Sequence, residues 1–220
     1  MKVNRRKFLT AASFGAGGAV AGAGAQALVS AQEKISVEGK RVLIAIGEFS
    51  ESLETYYLYF RLKEAGAEPV IASTTVKDLQ LVVHDFEPAY ESYTEKPGYL
   101  IEVDIPFEHI DPKSFQGLLI PGGRGPEEIR LDKNLIETTA YFLDNKLPVG
   151  AICHGVMVVY TARSIKGKKL TAYKGLKPDI ELLGGIFLDQ EVVVDGSLVT
   201  SRGWPDLPAF SGAFLKLLSS

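Results

Sequence analysis

The segment that most constrains the fold of this chain is residues 148–158, which read PVGAICHGVMV. Four apolar residues, Val149–Ile152, stop at a Cys-His-Gly turn that starts at Cys153, and a second apolar run begins at Val156. A short apolar run that ends at a glycine-containing turn is typical of a buried parallel strand, and the second run then suits a helix packed on the sheet. The pattern predicts a strand, a tight turn and a helix, with Cys153 on the turn.

This pattern places Cys153 for nucleophilic chemistry. A strand-to-helix turn lifts one side chain above the sheet and directs it toward the first N–H groups of the helix, where the helix dipole favours a thiolate. The arrangement is that of a nucleophile elbow with cysteine in place of serine. Gly155 suits the turn, because a residue without Cβ permits close approach of neighbouring backbone. The alternative is a buried structural cysteine, a common environment for this residue type.

The first part of the folded chain predicts a right-handed βαβ unit. Branched apolar residues at 41–47 indicate a buried strand, and Glu68–Ser73 indicates a second one. Between them lies a predicted helix that Ser50 or Ser52 can cap and that Gly66 can close. A strand, a helix and a strand in this order predict an α/β fold with a parallel sheet. The apolar residues that recur at helical spacing in this helix are Leu53, Tyr57 and Phe60.

The rest of the chain contains one irregular segment, residues 74–112. Within it residues 82–83 and 100–103 could form short strands, and the polar residues 87–98 indicate a surface excursion. Beyond it we predict a strand at 115–120, a helix at 132–145, the strand and elbow described above, a strand at 168–172, a helix at 178–183, a hairpin at 191–200 with Asp-Gly at its turn, and a helix at 206–218.

Three of the predicted segments end at the same edge of the sheet. Residues 47–54, residues 121–127 and Cys153 all follow predicted strands, and open α/β sheets bind ligands at the carboxyl ends of their strands. Residues 121–126 read PGGRGP. Glycines directly after a strand leave N–H groups free to hold an oxyanion, although a simple tight turn is the alternative. We expect a candidate site where these segments meet.

A cysteine nucleophile needs a base, and the chain offers three histidines. His84 and His109 lie in the irregular segment and are expected to be packing or surface residues. No histidine follows His154, whereas a glutamine amidotransferase domain has one close to its C-terminal end. By elimination His154 is the leading base, although adjacent side chains on a turn diverge.

Residues 1–31 are typical of an export signal. A basic start is followed by the uncharged residues 8–29, and the order NRRKFL resembles a twin-arginine signal. The many Gly and Ala residues argue against the alternative, an uncleaved membrane anchor. We expect cleavage after Ala31 or Ala27. The mature protein is then expected to be periplasmic or otherwise exported, without stable membrane association.

Composition limits the partners of the mature domain, which we assign to residues 38–220. Removal of the signal takes four of the 24 Lys and Arg residues and none of the 27 Asp and Glu residues, so the net charge changes from −3 to −7. With this excess of acidic residues, the domain is not expected to have the positive surface that binding to nucleic acid requires. The single cysteine, Cys153, cannot form an internal disulfide and is therefore buried or kept as a thiol. We expect no cofactor and no metal.

Several segments of the mature chain, among them the Cys-His-Gly turn and the PGGR loop, together resemble the PfpI-type branch of the ThiJ/PfpI superfamily. The resemblance implies a flavodoxin-like or class I amidotransferase-like α/β sandwich, with a mostly parallel sheet, helices on both faces and a nucleophile elbow. The matching segments are RVLI at 41–44, ESLE at 51–54, RLKEAG at 61–66, LIPGGR at 119–124, AICHG at 151–155 and EVVVDG at 191–196 with Ser201-Arg202.

The resemblance also implies roles for single residues. Cys153 matches the reactive cysteine, and Glu54 matches a protonated carboxyl that donates a hydrogen bond to its thiolate. From the residues alone, an exposed helix glutamate is the alternative for Glu54. His154 matches the histidine beside the nucleophile. Glu127 matches a glutamate that reaches this histidine from a neighbouring subunit, which implies a homo-oligomer, a dimer or larger.

The same resemblance implies a substrate pocket and an activity. Gly123 and the N–H of His154 match an oxyanion hole, with Gly122 and Tyr173 in the same pocket. The implied activity is cysteine-dependent hydrolysis of peptide bonds, or of reactive dicarbonyls and their adducts, as in peptidases, glyoxalase III and deglycases. The substrate is then a small molecule or a peptide. The alternative is a redox-responsive binding or holdase protein, in which Cys153 is oxidised without turnover.

This chain differs from compact members of the family in two stretches. Residues 74–99 are longer, and Val156 and Met157 replace a polar or Pro-containing sequence after the elbow. The export signal is also unusual for a mostly cytoplasmic family.

Overall fold

The central sheet consists of short strands with buried apolar side chains. The computed structural model describes residues 37–220 of the chain. Its strands are β1 Arg41–Ala45, β2 Glu68–Ser73, β3 Asp78–Asp85, β4 Thr94–Glu102, β5 Ile105–Pro106, β6 Gly117–Ile120, β7 Val149–Ile152, β8 Lys169–Leu170, β9 Ile186–Phe187, β10 Val192–Asp195 and β11 Leu198–Ser201. Its α-helices are α1 Ser52–Glu64, α2 Gly125–Ile129, α3 Lys133–Asp144, α4 Val156–Ala162, α5 Lys177–Leu182 and α6 Leu207–Leu218.

Seven strands form one sheet in the order β10-β11-β7-β6-β1-β2-β5. All neighbours in it are parallel except β10, which runs antiparallel to β11. The five central strands, β2-β1-β6-β7-β11, follow the flavodoxin-like order, in which ligands bind at the carboxyl ends near the β1/β6 switch point. The predicted fold class and its mostly parallel sheet are therefore confirmed.

Both faces of the sheet are covered, as the continuous apolar runs of its strands require. In β1, Leu43 and Ala45 face the core that contains α3 and α4, whereas Val42 and Ile44 face the core that contains α1 and α6. This alternation follows from the two-residue repeat of a strand. The elbow between β7 and α4 is thereby held between two buried layers.

The predicted helix α1 is present, but its apolar residues at helical spacing do not face the core. Leu53, Tyr57 and Phe60 are exposed, and the helix instead buries Leu58 and Leu62 against the sheet. The predicted caps Ser50 and Ser52 are also wrong, because the N-cap is Glu51, whose carboxylate accepts from the N–H of Glu54. Gly66 does follow the C-cap, as predicted. Helical spacing alone could not tell a core face from an apolar surface.

The irregular segment contains an antiparallel hairpin. β3 and β4 pair with each other in a separate two-stranded sheet, with a bulge between Gln80 and Val82. The predicted excursion at 87–98 is too long, because Thr94–Glu102 is a strand and only residues 86–93 form the tip. The hairpin is tied to the loop after β1, since Phe49 N–H donates to Gln80 O and Val82 N–H donates to Ser50 O.

The other predicted elements are present with bounds shifted by a few residues. The two-residue strand β8 pairs with β9 outside the main sheet. Residues 1–31, the predicted signal, lie outside the described residues. Among residues 37–220, no helix is both long and apolar enough to cross a membrane.

Candidate active site

Cys153 lies on a sharp turn directly after β7. It begins a 3-10 turn, Cys153–Gly155, that leads into α4, and its φ is 55°. A non-glycine residue in this left-handed region is strained, which is a frequent feature of functional turns. A Cβ on Gly155 would collide with the carbonyl oxygen of Ile120, so the turn requires glycine there. The predicted elbow is therefore present, and the Cys153 side chain is 8% exposed.

Glu54 lies beside Cys153 and is buried, so the exposed-glutamate alternative is wrong. Its Oε2 accepts from the N–H of Gly122 at 2.5 Å. A Cβ built on Gly122 would lie 2.9 Å from Glu54 Oε2 and 3.1 Å from Cys153 Sγ. Because Gly122 has no side chain, the Glu54 carboxyl and the Cys153 sulfur can both lie against its Cα.

The loop after β6 supplies a second contact to the sulfur. The backbone N–H groups of Gly123 and His154 lie near enough to Cys153 Sγ to act on the pKa of its thiol, which they lower. Gly123 has a φ of 77°, and a Cβ there would lie 2.5 Å from Phe49 O. Two N–H groups directed at one point form an anion-binding arrangement, which is the requirement for an oxyanion hole.

The pKa values of two buried carboxyls at the start of α1, those of the N-cap Glu51 and of Glu54, lie well above their usual range. Burial, followed by the charge of Glu51, raises the pKa of Glu54 to about 8, so this carboxyl is protonated at neutral pH and can donate its proton. Burial raises the pKa of Glu51 to about 7. Sequence reasoning did not single out Glu51, whose carboxylate lies one helical turn before Glu54 on the same buried side.

Burial also raises the pKa of the Cys153 thiol well above its usual value, and the charge of Glu54 adds to this. The N–H donors of Gly123 and His154 act in the opposite direction. Since Glu54 is protonated at neutral pH, its charge is absent there, whereas the N–H donors remain. The site therefore favours a thiolate most when Glu54 holds its proton.

His154 contacts the sulfur despite its adjacent position on the turn, with Nδ1 3.3 Å from Cys153 Sγ. Its ring stacks on Tyr173, with centroids 5.1 Å apart and planes at 26°. Burial, with a smaller effect of His84, lowers the pKa of His154 to about 4. The imidazole is therefore neutral at neutral pH, with Nδ1 within hydrogen-bonding distance of the sulfur.

Of the residues that the sequence assigns to the site, one is not joined to the others by a hydrogen bond or a ring contact among the described residues. Glu127 is exposed on α2, and among the described residues no hydrogen bond joins it to His154. The structure brings the other six together at the carboxyl ends of β6 and β7: Cys153, His154, Glu54, Gly122, Gly123 and Tyr173.

The β3–β4 hairpin brings residues to the site that sequence reasoning missed. His84, predicted to be a packing or surface residue, is 4% exposed, and its Nε2 lies 3.0 Å from Glu95 Oε2. Glu95 also accepts three hydrogen bonds from the guanidinium of Arg124, at 3.2, 2.9 and 2.8 Å. These contacts join the hairpin to the glycine loop after β6.

Tyr93 extends the hairpin contacts to the catalytic turn. Its ring lies 4.4 Å from that of His84, 5.4 Å from Tyr173 and 6.4 Å from His154. Burial, with the nearby charge of Cys153, raises the pKa of Tyr93 to about 12. No local sequence signal indicates this placement, because it depends on how the hairpin folds back over the sheet edge. His109, in contrast, is exposed, as predicted.

Comparisons with known proteins agree with this geometry. The model of the DJ-1/PfpI family matches residues 40–217. Deglycase PfpI of Pyrococcus furiosus is 38% identical over 179 residues, which cover 81% of this chain and 99% of that protein. Protein/nucleic acid deglycase 2 of Escherichia coli is 42% identical over 121 residues, which cover 54% of this chain and 70% of that protein. Schizosaccharomyces pombe DJ-1 has the same fold, with a TM-score of 0.68 at 17% identity over 82% of this chain and 92% of that one.

Proposed function

Because this chain belongs to the DJ-1/PfpI family, we propose that it is a cysteine-dependent hydrolase of the PfpI type, acting on reactive dicarbonyls and their adducts or on peptide bonds. The observation that carries the proposal is the position of Cys153 Sγ, which lies 3.3 Å from His154 Nδ1, near the backbone N–H groups of Gly123 and His154, and beside the protonated carboxyl of Glu54. An isolated structural cysteine would need none of these groups.

The geometry supports a simple first step. His154 Nδ1 accepts the thiol proton across the 3.3 Å contact, and the sulfur attacks a carbonyl carbon. Negative charge then moves from sulfur to the carbonyl oxygen, where the N–H groups of Gly123 and His154 can stabilise it. The Glu54 proton stabilises the thiolate before attack. Tyr173 stacks on the imidazole and holds it in place.

The test is turnover by the purified protein with methylglyoxal, methylglyoxal adducts and peptides, compared with Cys153→Ala. We expect turnover of at least one class by the wild type and none by the variant. Equal turnover by the two proteins would contradict the proposal. If neither turns over any substrate and peroxide oxidises Cys153 selectively, the redox-responsive alternative is favoured.

We further propose that the protein is a homo-oligomer in which Glu127 of one subunit approaches His154 of another. Two features support this: Glu127 is exposed and forms no hydrogen bond with His154 among the described residues, and α1 exposes a row of apolar side chains. Glu127→Ala is then expected to lower activity, whereas the neighbouring Glu128→Ala is not. Mixing Glu127→Ala with Cys153→Ala protein should restore activity, because mixed oligomers contain intact shared sites.

Finally, we propose that residues 1–31 export the protein by the twin-arginine route. The pair Arg5-Arg6 ahead of an uncharged Gly- and Ala-rich stretch supports this assignment. Cell fractionation of the wild type and of an Arg5→Lys, Arg6→Lys double variant tests it. Retention of the double variant inside the cell is expected, and equal export of both proteins would contradict the proposal.

A further inference from the structure

The β3–β4 hairpin is bonded to loops that follow three different strands of the main sheet. Its backbone pairs with the loop after β1, and Glu95 binds Arg124 in the loop after β6. In the loop after β11, the Nε1 of Trp204 donates to His84 O at 3.1 Å. The hairpin therefore spans the carboxyl edge of the sheet from β1 to β11.

The strand order places Cys153 beneath this span. In the sheet, β7 lies between β6 and β11, and the three strands are parallel, so their carboxyl ends lie side by side. A hairpin that is bonded on both sides of β7 crosses the end of that strand. Because Cys153 follows β7 directly, the hairpin lies over the catalytic turn.

Three aromatic rings form a continuous cover at this place. The ring of Phe86 lies 6.3 Å from that of Tyr93 and 6.3 Å from that of Trp204, between centroids. We call these three residues the aromatic roof. Beneath it, Cys153 and His154 are each only 8% exposed. The catalytic turn is therefore reached through a small opening.

Within the aromatic roof, Tyr93 is the residue that faces the catalytic turn. Its ring lies 6.4 Å from that of His154 at an angle of 77°, and 5.4 Å from that of Tyr173 at 78°. Such edge-to-face contacts favour one ring orientation. The charge of Cys153 adds to burial in raising the pKa of Tyr93, so the phenol lies near the sulfur. Tyr93 thus borders the space that a substrate enters to reach Cys153.

Contacts on the other side hold the Tyr93 ring in place. It lies 4.4 Å from the ring of His84, which is buried and whose Nε2 lies 3.0 Å from Glu95 Oε2. An outward movement of the Tyr93 ring would break its contacts with both His84 and Tyr173. The ring is therefore a wall of the site in the folded protein.

We propose that Tyr93 is a specificity-determining residue, whose ring limits the width of the opening over Cys153 so that a carbonyl at the end of a molecule enters and one within a chain does not. This inference rests on the proposed function. A terminal carbonyl carries a large substituent on one side only. A peptide bond within a chain continues on both sides and needs a groove that is open in two directions, which the hairpin closes by its bonds to the loops after β6 and β11.

The test uses Cys153 itself as the reporter. Iodoacetamide, N-benzyl iodoacetamide and N-diphenylmethyl iodoacetamide share one reactive carbon and differ in width. Each alkylates the thiolate, forming a sulfur–carbon bond as iodide leaves. Since the chain has a single cysteine, the measured rate belongs to Cys153. Rates are divided by those of 2-mercaptoethanol with the same reagent, which removes intrinsic differences in reactivity.

We expect the normalised rate of the diphenylmethyl reagent with the wild type to lie at least about tenfold below that of iodoacetamide, with the benzyl reagent between them. Tyr93→Ala should bring the widest and the narrowest reagent to within about twofold of each other, because the wall is removed. Tyr93→Leu, which shortens the side chain and keeps it apolar, should have a partial effect. Tyr93→Phe keeps the ring and should keep the wild-type ratio.

The matched control is Tyr90→Ala, the same substitution on the same hairpin at a side chain that is 64% exposed. It should keep the wild-type ratio. A general loosening of the hairpin would instead change the ratio equally in Tyr90→Ala and Tyr93→Ala. Equal changes in these two variants would therefore overturn the proposal.

The proposal would also be overturned by equal normalised rates of the three reagents with the wild type, by an unchanged ratio in Tyr93→Ala and Tyr93→Leu, or by no reaction with iodoacetamide. Alkylation does not require turnover. Failure of this inference is therefore distinguishable from failure of the proposed hydrolase, which appears as absent turnover by the wild type.

Discussion

At position 122 the chain has no room for even a methyl group. A Cβ would lie 2.5 Å from Cys153 Cβ, and this atom belongs to the elbow and cannot move away like the end of a flexible side chain. We expect Gly122→Ala to destabilise the protein by about 1–3 kcal/mol. It should also slow alkylation of Cys153, because the added methyl separates Glu54 from the sulfur.

The control for this prediction is Gly212→Ala, in α6, where a Cβ would meet nothing within 4 Å. Alanine there should stabilise the helix by about 0.5–1 kcal/mol. Urea unfolding of the two variants provides the measurement. Equal stability of Gly122→Ala and the wild type would show that the elbow is less tightly packed than the structure indicates.

Glu54 couples the chemistry of the site to the stability of the fold. Its pKa rises from 4.5 in the unfolded chain to about 8 in the folded one, chiefly through burial. A carboxyl with a raised folded pKa contributes stability that is fully present below pH 4.5 and is lost as pH rises through 8. Each unit by which the pKa of a group differs between the folded and unfolded chains changes the free energy of unfolding by up to about 1.4 kcal/mol.

We therefore expect the free energy of unfolding of the wild type to fall between pH 5 and pH 9. The free energy of unfolding of Glu54→Gln should fall by several kcal/mol less over the same range. Some decline should remain in the variant, because Glu51 has a raised pKa of about 7. Glu64→Gln, on the exposed part of the same helix, should follow the wild type. Urea denaturation at several pH values measures this, and parallel curves for all three proteins would refute it.

At the scale of elements, the β3–β4 hairpin lies outside the main sheet and is held to the site by backbone hydrogen bonds to the loop after β1 and by the side chain of Glu95. Glu95 joins His84 on β3 to Arg124 in the glycine loop. Glu95→Gln removes the charge from both contacts. We expect the hairpin amides of residues 78–102 to exchange hydrogen faster, while the global stability changes by less than about 1 kcal/mol, because the Arg124–Glu95 pair is partly exposed.

Lys96→Gln is the matched control for Glu95→Gln. It breaks an ion pair on the adjacent residue of the same strand, but that pair, with Asp85, lies within the hairpin and does not reach the glycine loop. Hydrogen exchange followed by mass spectrometry should separate the two variants. Equal exchange in both would mean that the Glu95 contacts do not fasten the hairpin to the site.

Local sequence patterning predicts some of these elements but not the face or the position of others. The strand before Cys153 and the Cys-His-Gly turn could be predicted, because local patterning alone decides a buried strand that ends at a tight turn. The face of α1 could not, because its apolar residues Leu53, Tyr57 and Phe60 have helical spacing whether they face the core or the surface. Tyr93 could not be placed either, since its position depends on long-range docking of the hairpin.

At the scale of the whole molecule, the carboxyl ends of β1, β6 and β7 converge as the parallel order requires. The residues that act together come from segments far apart in the chain, such as Glu54 and Gly122, and only the sheet brings them into contact. Glu127 is the exception, since among the described residues it forms no hydrogen bond with its predicted partner His154. The proposed oligomer would complete the site.

The exposed apolar face of α1 allows this assembly to be tested. Phe60 is 61% exposed and lies with Leu53, Tyr56 and Tyr57 on the outer side of the helix, next to Leu100 of the hairpin. An apolar patch of this kind is typical of an interaction surface. If another copy covers it, Phe60→Glu buries an unpaired charge at the interface and should dissociate the oligomer, with activity falling in parallel.

The matched control for Phe60→Glu is Leu182→Glu, at a position that is 87% exposed on α5. It introduces the same charge outside the α1 face and should leave the assembly intact. Light scattering coupled to size-exclusion chromatography measures the mass of each protein. In a monomer both substitutions would lie on the surface and would change the free energy of unfolding by less than about 0.5 kcal/mol. An unchanged mass for Phe60→Glu would therefore exclude the α1 face as the contact between subunits.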